Sequence, residues 1–243
     1  MFAKSFSRAA VVFSVMTATA SLHAGIVITG TRVVYPSDQK TVAVQVKNEG
    51  IYPALMQAWI DDGNADLTPD EINVPFVVMP PISRVDASTG QSINISHIHA
   101  DLPQDRESIY WLNILDIPSK PQDQLDKEAG AAVLQIAVRS RIKMFYRPAS
   151  LKDEAIKAPE KLQWSFVGSA LNVKNPTPYY VNISSLEIDS SLGKTKEIMS
   201  DGLMLAPFSD GKVDVEGLKF KTFKVLSIND YGGIDPIGVD LNH

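Results

Sequence analysis

Residues 131–147, AAVLQIAVRSRIKMFYR, constrain this chain more than any other segment. They alternate with a period of two. Leu134, Ile136, Val138, Ile142 and Met144 fall on one side of an extended chain, and Gln135, Arg139, Arg141, Lys143 and Arg147 on the other. The spacing predicts a β-strand, and at roughly 3.3 Å per residue it would run about 55 Å, long for a globular domain. A strand with an apolar row and several cations suits lending to another protein. Its edge would offer backbone hydrogen bonds and its cations could hold a carboxylate. The plainer reading is a solvated polar face whose Lys and Arg guard a sheet edge against aggregation. The pattern alone leaves both open.

Strand signals dominate the rest of the chain after residue 25. Short β-rich runs at 26–34, 41–46, 54–60, 92–98 and 109–117 are bounded by Gly, Pro, Asn or Asp, as in a β-sandwich. Pro75, Pro80 and Pro81 punctuate 76–79 and mark it as a short edge strand or loop. Arg147-Pro148 ends the long strand, because proline has no ladder donor. Residues 149–162 are charged and read as a linker with a helical turn. A second series at 163–167, 171–174, 179–188, 202–206, 219–228 and 237–240 predicts a second, smaller sandwich. The organisation is therefore 1–24 as a leader, 25–148 and 163–243 as domains, and 149–162 between them.

The leader reads as a signal peptide. Lys4 and Arg8 precede an apolar run from Ala9 to Ala20, too short to cross a bilayer, and Leu22-His23-Ala24 offers a cleavage site. No later run approaches a membrane span, so a soluble mature protein is expected. With no cysteine, an exported chain must rest on its hydrophobic core, and 44% hydrophobic residues in 243 suit one. The net charge of −5 argues against nucleic acid as a partner and makes the basic face of 139–147 a local feature.

No segment carries the spacing of a catalytic or metal site. Asp62-Gly-Asn64-Ala-Asp66 starts like a calcium loop, but Leu67 stands where glycine is needed and Asn73 where the bidentate Glu is needed, so it reads as a solvated loop. His97 and His99 share a strand face without a third ligand and read as solvent-facing. No nucleophile elbow, zinc-protease motif or phosphate-binding loop occurs. An enzyme is not expected, nor a metal or other cofactor. Trp59, Trp111 and Trp164 lie within strand patterns and read as core, which disfavours a carbohydrate-binding module.

Seven segments, in order, resemble the periplasmic pilus-assembly chaperones of the chaperone–usher pathway. They are GTRVVYP at 30–36, QAW at 57–59, Pro80-Pro81, LPQDRES at 102–108, RIKMFYRP at 141–148, NPTPYY at 175–180 and INDYGG at 228–233. The likeness spans nearly all of the mature chain. It implies an all-β protein of two immunoglobulin-like β-sandwich domains set as a boomerang, with a cleft between them. It implies that Arg32 and Lys143 hold the C-terminal carboxylate of a pilus subunit, and that Leu134, Ile136 and Val138 enter the subunit's open groove as a donated strand. Glu107, Arg147 and Asp230 match an ion network that sets the interdomain angle. The short segment between Ile117 and Ala131, and the absence of cysteine, resemble the short-loop subclass. The implied partners are pilus subunits and an outer-membrane usher, in the periplasm, without ATP. Under this reading Arg139 and Arg141 are solvated edge charges. A structural or adhesive pilus component is the alternative.

Overall fold

The computed structural model describes residues 25–98, 101–119, 135–151, 154–189, 195–215 and 217–241. The first half is built from β1 (Ile26–Ile28), β2 (Arg32–Pro36), β3 (Thr41–Asn48), β4 (Ala54–Asp61), β5 (Phe76–Met79), β6 (Ile82–Val85), β7 (Gly90–His97), β8 (Ser108–Pro118) and β9 (Val138–Arg147). They form two sheets, ordered β1-β3-β7-β5 and β2-β9-β8-β4-β6. All pairs are antiparallel except β2 with β9, which run parallel.

Alternation explains the packing. In β4 the inward set is Ala54, Met56, Ala58 and Ile60. Facing strands add Val44, Val46, Ile93, Ile95, Leu112, Ile114 and Met144, all buried in one core. Fully burying a side chain of this size contributes about 1.5–3 kcal/mol. Tyr35 lies wholly inside that core. Its hydroxyl is shared between Gln39 O and Lys40 O, and it accepts from the backbone N of His97, so the buried polar tip is satisfied.

The second half comprises β10 (Gln163–Val167), β11 (Ala170–Lys174), β12 (Val181–Asp189), β13 (Thr195–Met199), β14 (Leu203–Leu205), β15 (Asp210–Asp214), β16 (Thr222–Ile228) and β17 (Ile234–Asp240). One sheet is β10-β11-β15. The other is β13-β12-β16-β17, with β14 also on β12. Leu171, Val173, Val181, Ile183, Leu186, Phe223 and Val225 form a separate core. The protein is thus all-β, with two β-sandwich domains.

Several expectations change. The run at 26–34 is two strands, not one. Gly30 takes φ +107°, a conformation that a side chain disfavours, and there the chain leaves one sheet for the other. The long strand begins only at Val138; residues 135–137 have no regular structure, and Leu134 lies outside the described residues, as do the leader and His99. Between the domains, three single 3-10 turns (Ala149–Leu151, Ala155–Lys157 and Pro159–Lys161) form no loose tether, because Ala158 and Leu162 are buried in the second core. The His97 ring packs on Phe76 and Tyr146, with centroids at 5.2 and 5.3 Å, rather than facing solvent.

Candidate cleft between the two domains

The parallel pairing of β2 and β9 places Arg32 directly opposite Lys143. Val33, Tyr35, Met144 and Tyr146 point into the first core, so period two turns Arg32 and Lys143 to the outer face. That face meets the second domain. Arg32 Nη1 donates to Ile228 O at 3.0 Å, and Lys143 Nζ donates to Asn182 Oδ1 at 2.6 Å. Arg32 Nε is buried and has no hydrogen-bond partner. Burial lowers the pKa of Lys143, and the neighbouring Arg32 lowers it further. Burial also lowers that of Arg32, opposed by Asp230. Two cations held together and partly dried form a site short of negative charge. A cavity of about 300 Å³ opens beside them, with Tyr180, Asn182, Ile228 and Asp230 in its wall.

One strand turn further on, Arg147 ties the domains together. Its Nε donates to Glu107 Oε1 at 2.6 Å, and Nη1 and Nη2 grip both oxygens of Asp230 at 2.7 and 2.9 Å. Glu107 Oε2 accepts from the backbone N of Tyr180, and the Glu107 backbone N donates to Pro178 O. Burial would lower the pKa of Arg147, but Asp230 and Glu107 outweigh it and hold the guanidinium above its ordinary value. Burial pushes the Glu107 carboxyl up, against the pull of Arg147 and the Tyr180 amide. Glu107 stands just before β8, Arg147 ends β9 and Asp230 lies in the turn after β16, so the bonds from Arg147 to Asp230 require the two domains to meet as they do here.

The apolar row continues outward from the core. Ile136 is 62% exposed and Val138 55%, large for unpartnered aliphatic side chains. Beside them the backbone edge is open. β8 pairs with β9 over Val138–Tyr146, but β2 pairs only from Lys143 onward, so 138–142 have no strand on the β2 side among the described residues. Ile136 just before β9, the open edge of 138–142 and Lys143, with Arg32 opposite it on β2, follow one another along the chain in that order.

The other cations of β9 reach a buried carboxylate, Arg141 half-buried on it and Arg139 still exposed at its rim. Arg141 donates through Nε and Nη2 to Asp61, which is completely buried, and Arg139 Nη2 lies 3.6 Å from the same carboxylate. Their guanidinium groups sit over Trp111 (4.7 Å to the centroid) and Trp59 (5.0 Å). These two tryptophans therefore lie on the outer face of the sheet beneath arginines, not in the core. Trp164 does pack against the second core. Period two puts Asp61, Trp59, Trp111, Asn113, Arg139 and Arg141 on one face, but no sequence signal says that this face holds a buried carboxylate. No helix among the described residues is long and apolar enough to cross a membrane.

Two family models match the chain. "Pili and flagellar-assembly chaperone, PapD N-terminal domain" covers residues 25–152, and "Pili assembly chaperone PapD, C-terminal domain" covers 157–237. The probable fimbrial chaperone YadV of Escherichia coli (strain K12) is 46% identical over 227 residues, covering 90% of each chain. Among solved structures, the Pseudomonas aeruginosa CupB2 chaperone is 38% identical with a TM-score of 0.75, covering 89% of this chain and 100% of that one. The Salmonella enterica SafB chaperone, solved in complex with the SafA pilin, gives 27% identity and a TM-score of 0.72, covering 89% of this chain and 96% of that one.

Proposed function

Since the chain belongs to the pilus-assembly chaperone family, we propose that it captures fimbrial subunits through a carboxylate anchor shared by β2 and β9 and through a lent strand made by the start of β9 and the residues before it. The protein is a fimbrial chaperone. The subunit's C-terminal carboxylate accepts hydrogen bonds from Arg32 and Lys143. Such charge-assisted bonds are about twice as strong as neutral ones, and stronger still where water is scarce. The anchored chain then runs along the open edge of 138–142 and extends the sheet by its backbone. Val138, Ile136 and Leu134 insert into the subunit's apolar groove. From Lys143 to Ile136 is about 23 Å of extended chain, so the anchor fixes which groove positions the row can reach.

The observation that carries this reading is the register of Arg32 against Lys143 on the same strand as an exposed apolar row with an unpaired edge. Glu107, Arg147 and Asp230 brace the interdomain angle and so hold the cleft in shape. A buried ion network of this kind favours one geometry more than it adds stability. The captured subunit passes to an outer-membrane usher, where a better-fitting strand from the next subunit replaces β9. That exchange uses subunit folding rather than ATP. The signal peptide directs the chain to the periplasm, the compartment of chaperone–usher chaperones. The alternative, a structural or adhesive pilus component, is disfavoured by relatives that match nearly the whole chain and are chaperones.

Arg32→Ala and Lys143→Ala test the anchor. Truncating one member of a desolvated charge pair costs about 2–5 kcal/mol of binding. Each variant is expected to lose co-purification with the fimbrial subunit. Wild-type recovery of the complex by both would refute the anchor.

A further inference from the structure

Both cations of the cleft already donate to oxygens of the second domain, and neither oxygen carries a charge. Arg32 is held by a backbone carbonyl, Ile228 O, and Lys143 by the side-chain amide of Asn182. Asn182 is buried, and its position on β12 is fixed. It lies opposite Met204 of β14, and its carbonyl accepts from Ser227 Oγ at 3.2 Å. Its Oδ1 therefore occupies a place on Lys143 Nζ that a carboxylate oxygen could take. A bond from ammonium to a neutral amide oxygen is charge-assisted on one side only, so an arriving carboxylate outcompetes it. The buried, unpartnered Arg32 Nε shows that the site holds more donor capacity than its own acceptors use.

Resting on the carboxylate-anchor reading above, we propose that Asn182 is an internal placeholder that occupies Lys143 in the free protein and yields to a peptide's C-terminal carboxylate. Its lack of charge is the functional property. An amide oxygen keeps the ammonium group aimed and hydrogen-bonded while leaving its charge uncompensated, since the nearby Asp230 acts on Arg32. A carboxylate at position 182 would compensate it from within, and the cleft would lose its reason to take up an anion. Position 182 thus sets how strongly the site discriminates a free acid from its amide.

The probe is a peptide pair with the C-terminal sequence of the fimbrial subunit that co-purifies with the wild-type chain, one a free acid and the other amidated. Binding is measured by calorimetry. Asn182→Asp is expected to weaken free-acid binding at least about tenfold and to abolish the preference for acid over amide. Its thermal midpoint should equal or exceed that of the wild type, which separates site occupancy from misfolding. Asn182→Ala empties the place without adding charge, and is expected to keep the preference and bind the free acid severalfold more tightly. Wild-type affinity in Asn182→Asp would overturn the proposal. So would a fall in Asn182→Ala as large as in Asn182→Asp, because Asn182 would then act by orienting Lys143. Lys143→Ala separates the two levels. If it retains the acid preference, the anchor itself fails. If it loses the preference while Asn182→Asp keeps it, only the placeholder fails.

Discussion

Asp61→Asn offers a sharp test of the energetics of the first domain. The Asp61 carboxylate accepts two hydrogen bonds from Arg141, one from Asn113 Nδ2 at 2.7 Å and one from Gly63 N at 2.7 Å, and solvent does not reach it. The substitution keeps the shape and removes the charge. It also puts an NH2 group where an oxygen accepted, so Arg141 or Asn113 must face another donor. A hydrogen bond to a charged group contributes about 1.5–3 kcal/mol, and removing one member of a buried pair costs about 3–5 kcal/mol. The Arg141 side chain retains 25% exposure, so water replaces part of the lost pairing. The expected cost is therefore about 2–4 kcal/mol, read as a lower urea midpoint at unchanged slope. The pH dependence has a definite sign. Burial alone would raise the Asp61 pKa, but the bonds from Arg141, Asn113 and Gly63 outweigh it and lower the value. The stabilisation is thus fully present above the ordinary aspartate pKa of about 3.9 and is lost as pH falls through the lower native value. The gap between wild type and variant should close on acidification below about pH 4. A variant within about 0.5 kcal/mol of wild type at pH 7, or a gap that does not narrow in acid, would refute this account of the cluster.

Other perturbations address the lent strand and the brace. Ile136→Asp changes an exposed side chain, so unfolding of the free protein should shift by less than about 0.5 kcal/mol. Subunit capture should fall sharply, because the groove would have to bury a charge; normal fimbrial assembly by this variant would count strongly against strand donation. Glu107→Ala strips Arg147 of one partner and leaves the Tyr180 amide without its acceptor, with an expected cost of about 3–5 kcal/mol in chemical denaturation. Glu107→Gln keeps an acceptor for that amide and removes a charge that burial already penalises. It should cost less than half as much, and an equal loss would mean that charge rather than hydrogen bonding holds the seam.

What was legible in the sequence was mostly the period. The runs at 41–46 and 54–60 read as strands and extend in the structure to Thr41–Asn48 and Ala54–Asp61, with Val44, Val46, Met56, Ala58 and Ile60 buried at every second place. Period says nothing about which sheet a strand joins, so 26–34 reads as one strand and the crossing at Gly30 is not legible in it. Strand exposure was also misread. Arg139 and Arg141 look solvated until Asp61, some eighty residues earlier, is brought under them by the pairing of β4 with β8 and β8 with β9. Arg32 and Lys143 were named through a resemblance, since nothing local to either residue announces the other. Asn182 carried no signal at all. A lone asparagine in a strand has no meaning until the opposite domain supplies its ammonium.

The parallel pairing of β2 with β9 also bears on the order in which the first domain folds. Arg32 and Lys143 are 143 − 32 = 111 positions apart, yet they are direct neighbours. Closing so long a loop is entropically costly, and contacts of this range form late. β3 with β7 and β4 with β8 can zip first, because their partners lie closer in sequence. β2 touches no strand of its sheet except β9, so it joins only after β9 has docked on β8. The Arg32–Lys143 pair is therefore among the last features of the domain to form. On the anchor proposed above, an incompletely folded chain lacks the paired cations with which to engage a subunit, and competence to bind would report that the chaperone's own folding is finished.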